Sequence, residues 1–147
     1  ATLLRYREQG DVTYAMILTG GEKGFKNGGH PGRRIEEAEA GGQLLELADM
    51  TVHDLPDTRL DSRREEIKGL IEARVQDLQP DIVFTHTPHD VHSDHRTVAE
   101  ATREAVRRAR ASSIPAVFSS ASARILCSST SFRALMMSGS LNCSPGT

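Results

Sequence analysis

The order of the apolar segments is the feature that most constrains the fold of this chain. Short runs rich in β-branched and aromatic residues alternate with longer segments in which apolar residues recur every three or four positions. The predicted strands are 12–18, 50–55, 81–85 and 114–118, and the predicted helices are 3–9, 32–48, 63–78 and a segment from 94 or 97 to 110. Strands separated by amphipathic helices are typical of βαβ units. We therefore predict an α/β fold with a Rossmann-like, doubly wound and mostly parallel sheet.

The composition of the chain changes near residue 118. Residues 111–147 contain no acidic residue, eleven serines and both cysteines, whereas all 20 acidic residues precede them. We predict one α/β domain over residues 1–118, followed by an unpatterned, Ser-rich tail over 119–147. Such a tail is disordered or, if the reading frame has slipped, not native. Cys127 and Cys143 have no spacing that is typical of a metal site.

The overall charge and hydropathy exclude some classes of partner. The net charge of −2 gives no basic surface for a nucleic-acid partner. No run approaches the roughly 20 apolar residues of a membrane-spanning helix, and no charged-then-apolar leader marks secretion. We therefore expect a cytoplasmic protein without a membrane span, and the sequence leaves its oligomeric state open.

Three polar, turn-rich segments each follow a predicted strand. They are "TGGEKG" at 19–24, "PDTRL" at 56–60 and "HTPHDVHSDH" at 86–95. In open α/β sheets, ligands bind outside the carboxyl ends of the strands. The sequence therefore predicts a functional site where these three segments converge.

The third segment contains four of the six histidines of the chain. His92 and His95 are three residues apart at the start of a predicted helix, so they lie on similar faces. Neutral imidazole together with carboxylate oxygen favours zinc or a similar divalent ion. A second histidine that is not a ligand could stay protonated and stabilise a developing oxyanion, and Asp94 could orient it.

Structural interpretations of the same residues remain open. The segment could be a solvated polar loop, because one His-x-x-His is not a complete zinc site. Asp94 could be only a helix N-cap, where aspartate is favoured. His86 and His89 could be loop residues or residues that support the ligands without binding the metal. The glycines Gly20, Gly21 and Gly24 are best explained by turn geometry, because "GGEKG" is not a phosphate-binding fingerprint.

Four segments in order resemble the LmbE-like, or PIG-L, family of zinc-dependent de-N-acetylases. They are "LTGGEKG", "RRIEEAEAGGQLLEL", "LPDTRL" and "PDIVFTHTPHDVHSDHRTVAEA", which lie within residues 1–118. The second resembles the family's Arg-x-x-Glu-x-x-x-Ala helix, with Arg33, Glu36 and Ala40 in register. The fourth resembles the family's C-terminal His-x-Asp-His stretch.

The resemblance implies a role for five residues. His95 would be a zinc ligand, and His92 the protonated histidine that stabilises the tetrahedral intermediate and assists the leaving amine. Asp94 would hold His92. Arg33 would face the substrate, with Arg34 as the other candidate for this position, and Asp57 would also contact the substrate.

The resemblance also implies a motif that this sequence does not contain. Two further zinc ligands and the general base come from a His-Pro-Asp-Asp motif after the family's first strand. Without it, we expect a fragment whose sheet lacks that central strand, which would leave neighbouring strands with unpaired backbone groups.

The expected function is the zinc-dependent hydrolysis of the N-acetyl group of a small N-acetylglucosamine-type conjugate. One alternative is a non-catalytic remnant of the same fold that binds a metal or ligand, which an incomplete ligand set would fit. Another is a nucleotide-binding α/β module that uses "TGGEKG" against phosphate, although the sequence has no Walker or dinucleotide fingerprint.

Overall fold

Four parallel strands form the sheet around which the chain is arranged. The computed structural model describes residues 2–21, 32–113 and 133–138. In chain order the elements are α1 Thr2–Glu8, β1 Val12–Ile17, α2 Arg33–Leu44, β2 Asp49–Val52, a 3₁₀ helix at Leu60–Arg63, α3 Arg64–Leu78, β3 Ile82–Phe84, α4 Ser93–Ser113 and β4 Arg133–Ser138. The alternation predicted from the apolar segments is confirmed for these elements, and the predicted strand 114–118 lies outside the described residues.

A tight helix end connects α1 to the first strand. Gly10 has a φ of 88°, in the left-handed region that favours glycine. The N–H of Asp11 donates to the carbonyl of Tyr6 over 3.0 Å, and the N–H of Gly10 donates to the carbonyl of Arg7 over 2.8 Å. This pair of bonds is a Schellman motif, so the predicted helix end at Gly10 is confirmed.

The order of strands in the sheet is β2-β1-β4-β3, and every neighbouring pair is parallel. Strand β4 pairs along its whole length with β1, from Val12 with Arg133 to Ile17 with Ser138. On its other side, Phe84 of β3 is in register with Met136. Since all the strands run the same way, their carboxyl ends lie at one edge of the sheet.

Strand β4 lies within the segment 119–147, which is predicted to be a Ser-rich tail. Residues 133–138 form a strand at the centre of the sheet, whereas the rest of 119–147 lies outside the described residues. Both β1 and β3 therefore have a backbone partner where the resemblance implied a missing central strand. The pairing is nonlocal, and local periodicity carries little information about it.

The main core lies between the sheet and helices α3 and α4. The predicted apolar face of α3 is confirmed, because Ile67 and Ile71 are fully buried and Val75 and Leu78 nearly so. Helix α4 contributes Val98 and small residues that allow close packing: Ala101, Ala105 and Ala109. No helix of the described residues is long and apolar enough to cross a membrane.

Helix α2 is shorter than its pattern predicts. The prediction extended it to residue 48, but it ends at Leu44, whose side chain is 80% exposed. The N–H of Leu47 then donates to the carbonyl of Gly42 over 3.0 Å, and Glu46 takes a φ of 47°. A second Schellman-like turn thus ends the helix without a glycine, which is why no sequence signal marks the boundary.

Candidate functional site

The His-rich segment connects the carboxyl end of β3 to the first turn of α4, as predicted. Its shape is set by bonds to the backbone around Asp90. The N–H of His92 donates to Oδ1 of Asp90 over 2.8 Å. The Arg96 guanidinium donates to the carbonyl oxygens of Asp90 and Val91 over 2.7 and 2.8 Å. The loop is therefore folded back on the start of α4, which brings its side chains together.

His86, Asp90 and His95 form a cluster that could hold a metal ion. One potential ligand atom from each residue lies within 4.8 Å of the other two. His95 Nδ1 is 3.1 Å from Asp90 Oδ2, and the rings of His86 and His95 stack in parallel with their centroids 3.9 Å apart. The ring of His92 is next to the cluster, with its centroid 4.8 Å from that of His95.

The electrostatics at His86 and Asp90 favour the protonation states that metal binding requires. Burial, and then the neighbouring His95, lower the pKa of His86, so its imidazole is neutral at neutral pH. The backbone N–H of His92 and the imidazole of His95 lower the pKa of Asp90, which keeps this residue a carboxylate. A metal ion binds neutral imidazole and ionised carboxylate.

Buried nitrogen atoms in the cluster lack a hydrogen-bond partner. Among the described residues, this is true of Nε2 of His95 and of Nδ1 of His92, whereas Nδ1 of His95 faces Asp90. Buried polar atoms without a partner are rare in folded proteins, and an ion is one explanation for them. Two imidazoles and a carboxylate are a donor set that suits zinc, so the residues present fit such an ion.

Asp94 has a different partner from the one the resemblance implied. Its side chain is fully buried. Its Oδ2 accepts a hydrogen bond from the N–H of Thr58 over 2.7 Å, and its Oδ1 accepts one from the N–H of Leu60 over 3.3 Å. In the part of the chain that the structure describes, no hydrogen bond joins Asp94 to His92.

The "PDTRL" segment therefore lies against the start of α4. Asp57 is 5% exposed, whereas Thr58 and Arg59 are exposed. The position of this segment next to Asp94 agrees with the predicted convergence of the segments that follow β2 and β3. The third segment, after β1, is described only as far as Gly21.

The two candidate arginines of α2 lie in different surroundings. Arg33 is exposed and donates through Nε to Oε1 of Glu37 over 2.9 Å, within its own helix. Arg34 lies against the turn after β1, where a Cβ built on Gly21 would be 3.1 Å from its Cδ. Of the two, Arg34 is the one that contacts the carboxyl edge of the sheet.

The sequence prediction of the cluster was incomplete. It includes His95, but it gives His86 only as a loop residue or as one that supports the ligands, and it assigns no role to Asp90. The spacing of His86, Asp90 and His95 matches no simple helical or strand period, because a tight loop joins them. One sequence signal could have indicated the tight loop. An aspartate side chain can accept a hydrogen bond from the backbone two residues further on, as Asp90 does from His92.

Comparisons with known proteins identify the family of this chain and solved structures with a similar fold. A sequence profile of the family described as PIG-L: GlcNAc-PI de-N-acetylase matches residues 1–106. The conserved protein TT1542 from Thermus thermophilus superposes with a TM-score of 0.63 and 31% identity, over 72% of this chain and 47% of that one. The N,N'-diacetylchitobiose deacetylase from Pyrococcus horikoshii superposes with a TM-score of 0.59 and 28% identity, over 72% of this chain and 42% of that one. The chain thus spans less than half the length of either structure. A comparison with curated protein sequences gives no match.

Proposed function

Because the chain belongs to the PIG-L family of de-N-acetylases, we propose that its His-rich edge takes part in the zinc-dependent hydrolysis of an N-acetylglucosamine-type conjugate. The family and the chitobiose deacetylase neighbour support a de-N-acetylase. The observation that carries the metal dependence is the cluster of His86, Asp90 and His95.

His95 is the proposed zinc ligand, with His86 and Asp90 as its companions in this chain. Support comes from the distances within the cluster and from the buried Nε2 of His95, which has no hydrogen-bond partner among the described residues. When bound, a zinc ion polarises a carbonyl oxygen and makes a nearby water more acidic. The general base is assigned to none of the described residues.

His92 is the proposed acid. Its ring lies next to that of His95, and its Nδ1 is buried without a partner among the described residues. In its protonated form it would donate a hydrogen bond to the oxygen of the acetyl carbonyl as negative charge develops there. The same proton would then pass to the sugar amine as the C–N bond breaks.

The substrate is proposed to lie over the turns that follow β1 and β2. Arg34 is a stronger candidate than Arg33 for a contact with the sugar, because it lies against Gly21 while Arg33 pairs with Glu37. Asp57 remains a proposed substrate contact at the second turn. An N-acetyl sugar offers hydroxyl groups and an amide, which guanidinium and carboxylate groups can hydrogen-bond.

The test combines zinc content with acetate release. The purified chain is loaded with zinc, dialysed and incubated with N,N'-diacetylchitobiose, the compound in the name of the Pyrococcus relative. We expect bound zinc and released acetate, both lost in His95→Ala. His89→Ala is the matched control, because His89 is an exposed histidine of the same loop. Full zinc content in His95→Ala would refute the ligand assignment.

A second candidate function is metal binding without hydrolysis. The same cluster of His86, Asp90 and His95 favours it, because metal binding by these residues requires no general base, whereas hydrolysis does. Zinc bound by His95 without acetate release would support this alternative.

A further inference from the structure

The turn formed by residues 56–60 contains a strained residue. Thr58 has a φ of 67°, a left-handed conformation that is a genuine outlier for a β-branched side chain. The turn is closed by the N–H of Arg59, which donates to the carbonyl of Pro56 over 3.3 Å. A non-glycine residue keeps such a conformation only when its surroundings over-determine it.

The surroundings that do so are the carboxylate of Asp94 and the core. Asp94 accepts hydrogen bonds from the backbone N–H groups on either side of Arg59, those of Thr58 and Leu60. Leu60 is fully buried, so the end of the turn is anchored in the core. A buried carboxylate with two backbone donors is a strong and specific contact.

We propose that Asp94 is a positioning residue that holds the 56–60 turn against the start of α4 and so fixes one wall of the sugar-binding site. Asp94 lies between His92 and His95 in the chain, so one side chain joins the turn to the catalytic segment. Both of its oxygens face the turn, whereas Nδ1 of His92 has no partner among the described residues. The effect on substrate rests on the proposed function, but the contact itself does not.

Two substitutions separate this role from a direct action on His92. Asp94→Asn keeps the shape of the side chain but replaces one acceptor oxygen with an N–H₂ group that faces a donor. Thr58→Gly removes the steric cost of the positive φ, so the turn keeps its shape with less help from Asp94. The two changes should therefore be coupled. Asp61→Asn is the matched control, since Asp61 is an exposed carboxylate just beyond the turn.

The experiment measures urea unfolding, and kcat and KM for acetate release from N,N'-diacetylchitobiose, for the single and double variants. Asp94→Asn should lower the urea midpoint and raise KM about tenfold with little change in kcat, which corresponds to about 1.4 kcal/mol of binding energy. Adding Thr58→Gly should restore much of both losses. Additive effects on unfolding would overturn the proposal, and so would a fall in kcat at constant KM that Thr58→Gly does not rescue.

A measurement on the unmodified chain covers the case in which Asp94→Asn fails to fold. The amide hydrogens of Thr58 and Leu60 should exchange slowly with solvent, because both are donated to Asp94. Exchange as fast as in an open loop would overturn the proposal. If the chain releases no acetate, the proposed function fails, while the exchange and unfolding results still decide whether Asp94 holds the turn.

Discussion

Replacing His86 tests whether this residue is a ligand of the proposed metal site. We expect His86→Ala to weaken zinc binding strongly, because the cluster places its imidazole among the potential ligand atoms within 4.8 Å of one another. Four-ligand structural zinc sites bind with about 10–16 kcal/mol, or about 3 kcal/mol for each ligand. Loss of one ligand of this strength corresponds to about a 100-fold lower affinity.

Asp90→Asn is the companion variant, because it separates two roles of one side chain. Oδ1 of Asp90 accepts the N–H of His92 and shapes the loop, while Oδ2 faces His95. Asparagine can keep the first contact through its carbonyl oxygen and lose the charge of the second. Zinc affinity should therefore fall while the fold of the loop is retained.

The assay is a competition for zinc with a chromophoric chelator at fixed pH and ionic strength. His89→Ala is again the control, since it removes an exposed histidine from the same loop. The assignment of His86 as a ligand would be refuted if His86→Ala kept its zinc affinity within about threefold, under 1 kcal/mol, while His95→Ala lost it. That result would leave His95 as a ligand whose partners are not the residues of this cluster.

Three other predictions concern the turns and helices around the site. Burial lowers the pKa of His53, so the unfolded chain takes up a proton before the folded chain does as the pH falls below about 6.5. The free energy of unfolding should therefore decline through this range, and the decline in the urea midpoint should be smaller in His53→Gln. Gly10→Ala should lower the free energy of unfolding by about 1–2 kcal/mol, because it puts a side chain at a positive φ. Gly69→Ala, in an exposed turn of α3 with open space around it, should raise that free energy by up to about 1 kcal/mol, and equal urea midpoints for the two variants would contradict this. Arg34→Ala should raise KM for N,N'-diacetylchitobiose while Arg33→Ala leaves it nearly unchanged, and the reverse order in steady-state kinetics would restore the original assignment of Arg33.

The elements that the sequence predicts well are those whose burial follows a local period. Ile67, Ile71 and Val75 repeat at four-residue steps, and the structure buries them on one face of α3. Gly10 marks the end of α1, because the left-handed conformation there strongly favours glycine. Both signals are contained in a few neighbouring residues, so no knowledge of the rest of the chain is needed.

The features that the sequence did not predict depend on distant partners. Strand β4 is defined by pairing with β1 and β3, which are far away in the chain, and the serines around it obscure any strand period. The left-handed Thr58 is stabilised by Asp94, which is 36 residues further on. Local propensity disfavours both, and tertiary contacts override it.

The candidate site combines these two kinds of information. Parallel strands place their carboxyl ends at one edge, so the sequence alone could predict which segments meet. It could not predict which side chains touch, because Asp94 and His86 take roles that depend on how the loops fold back. Asp94, assigned to His92 by resemblance, instead binds the turn after β2, while His86, assigned to the loop, stacks on His95. His95 follows Asp94 directly in the chain. A movement of the turn that Asp94 holds would therefore also move a proposed zinc ligand. Loss of the Asp94 contact should for this reason weaken zinc binding less than loss of a ligand, but more than a change at His89.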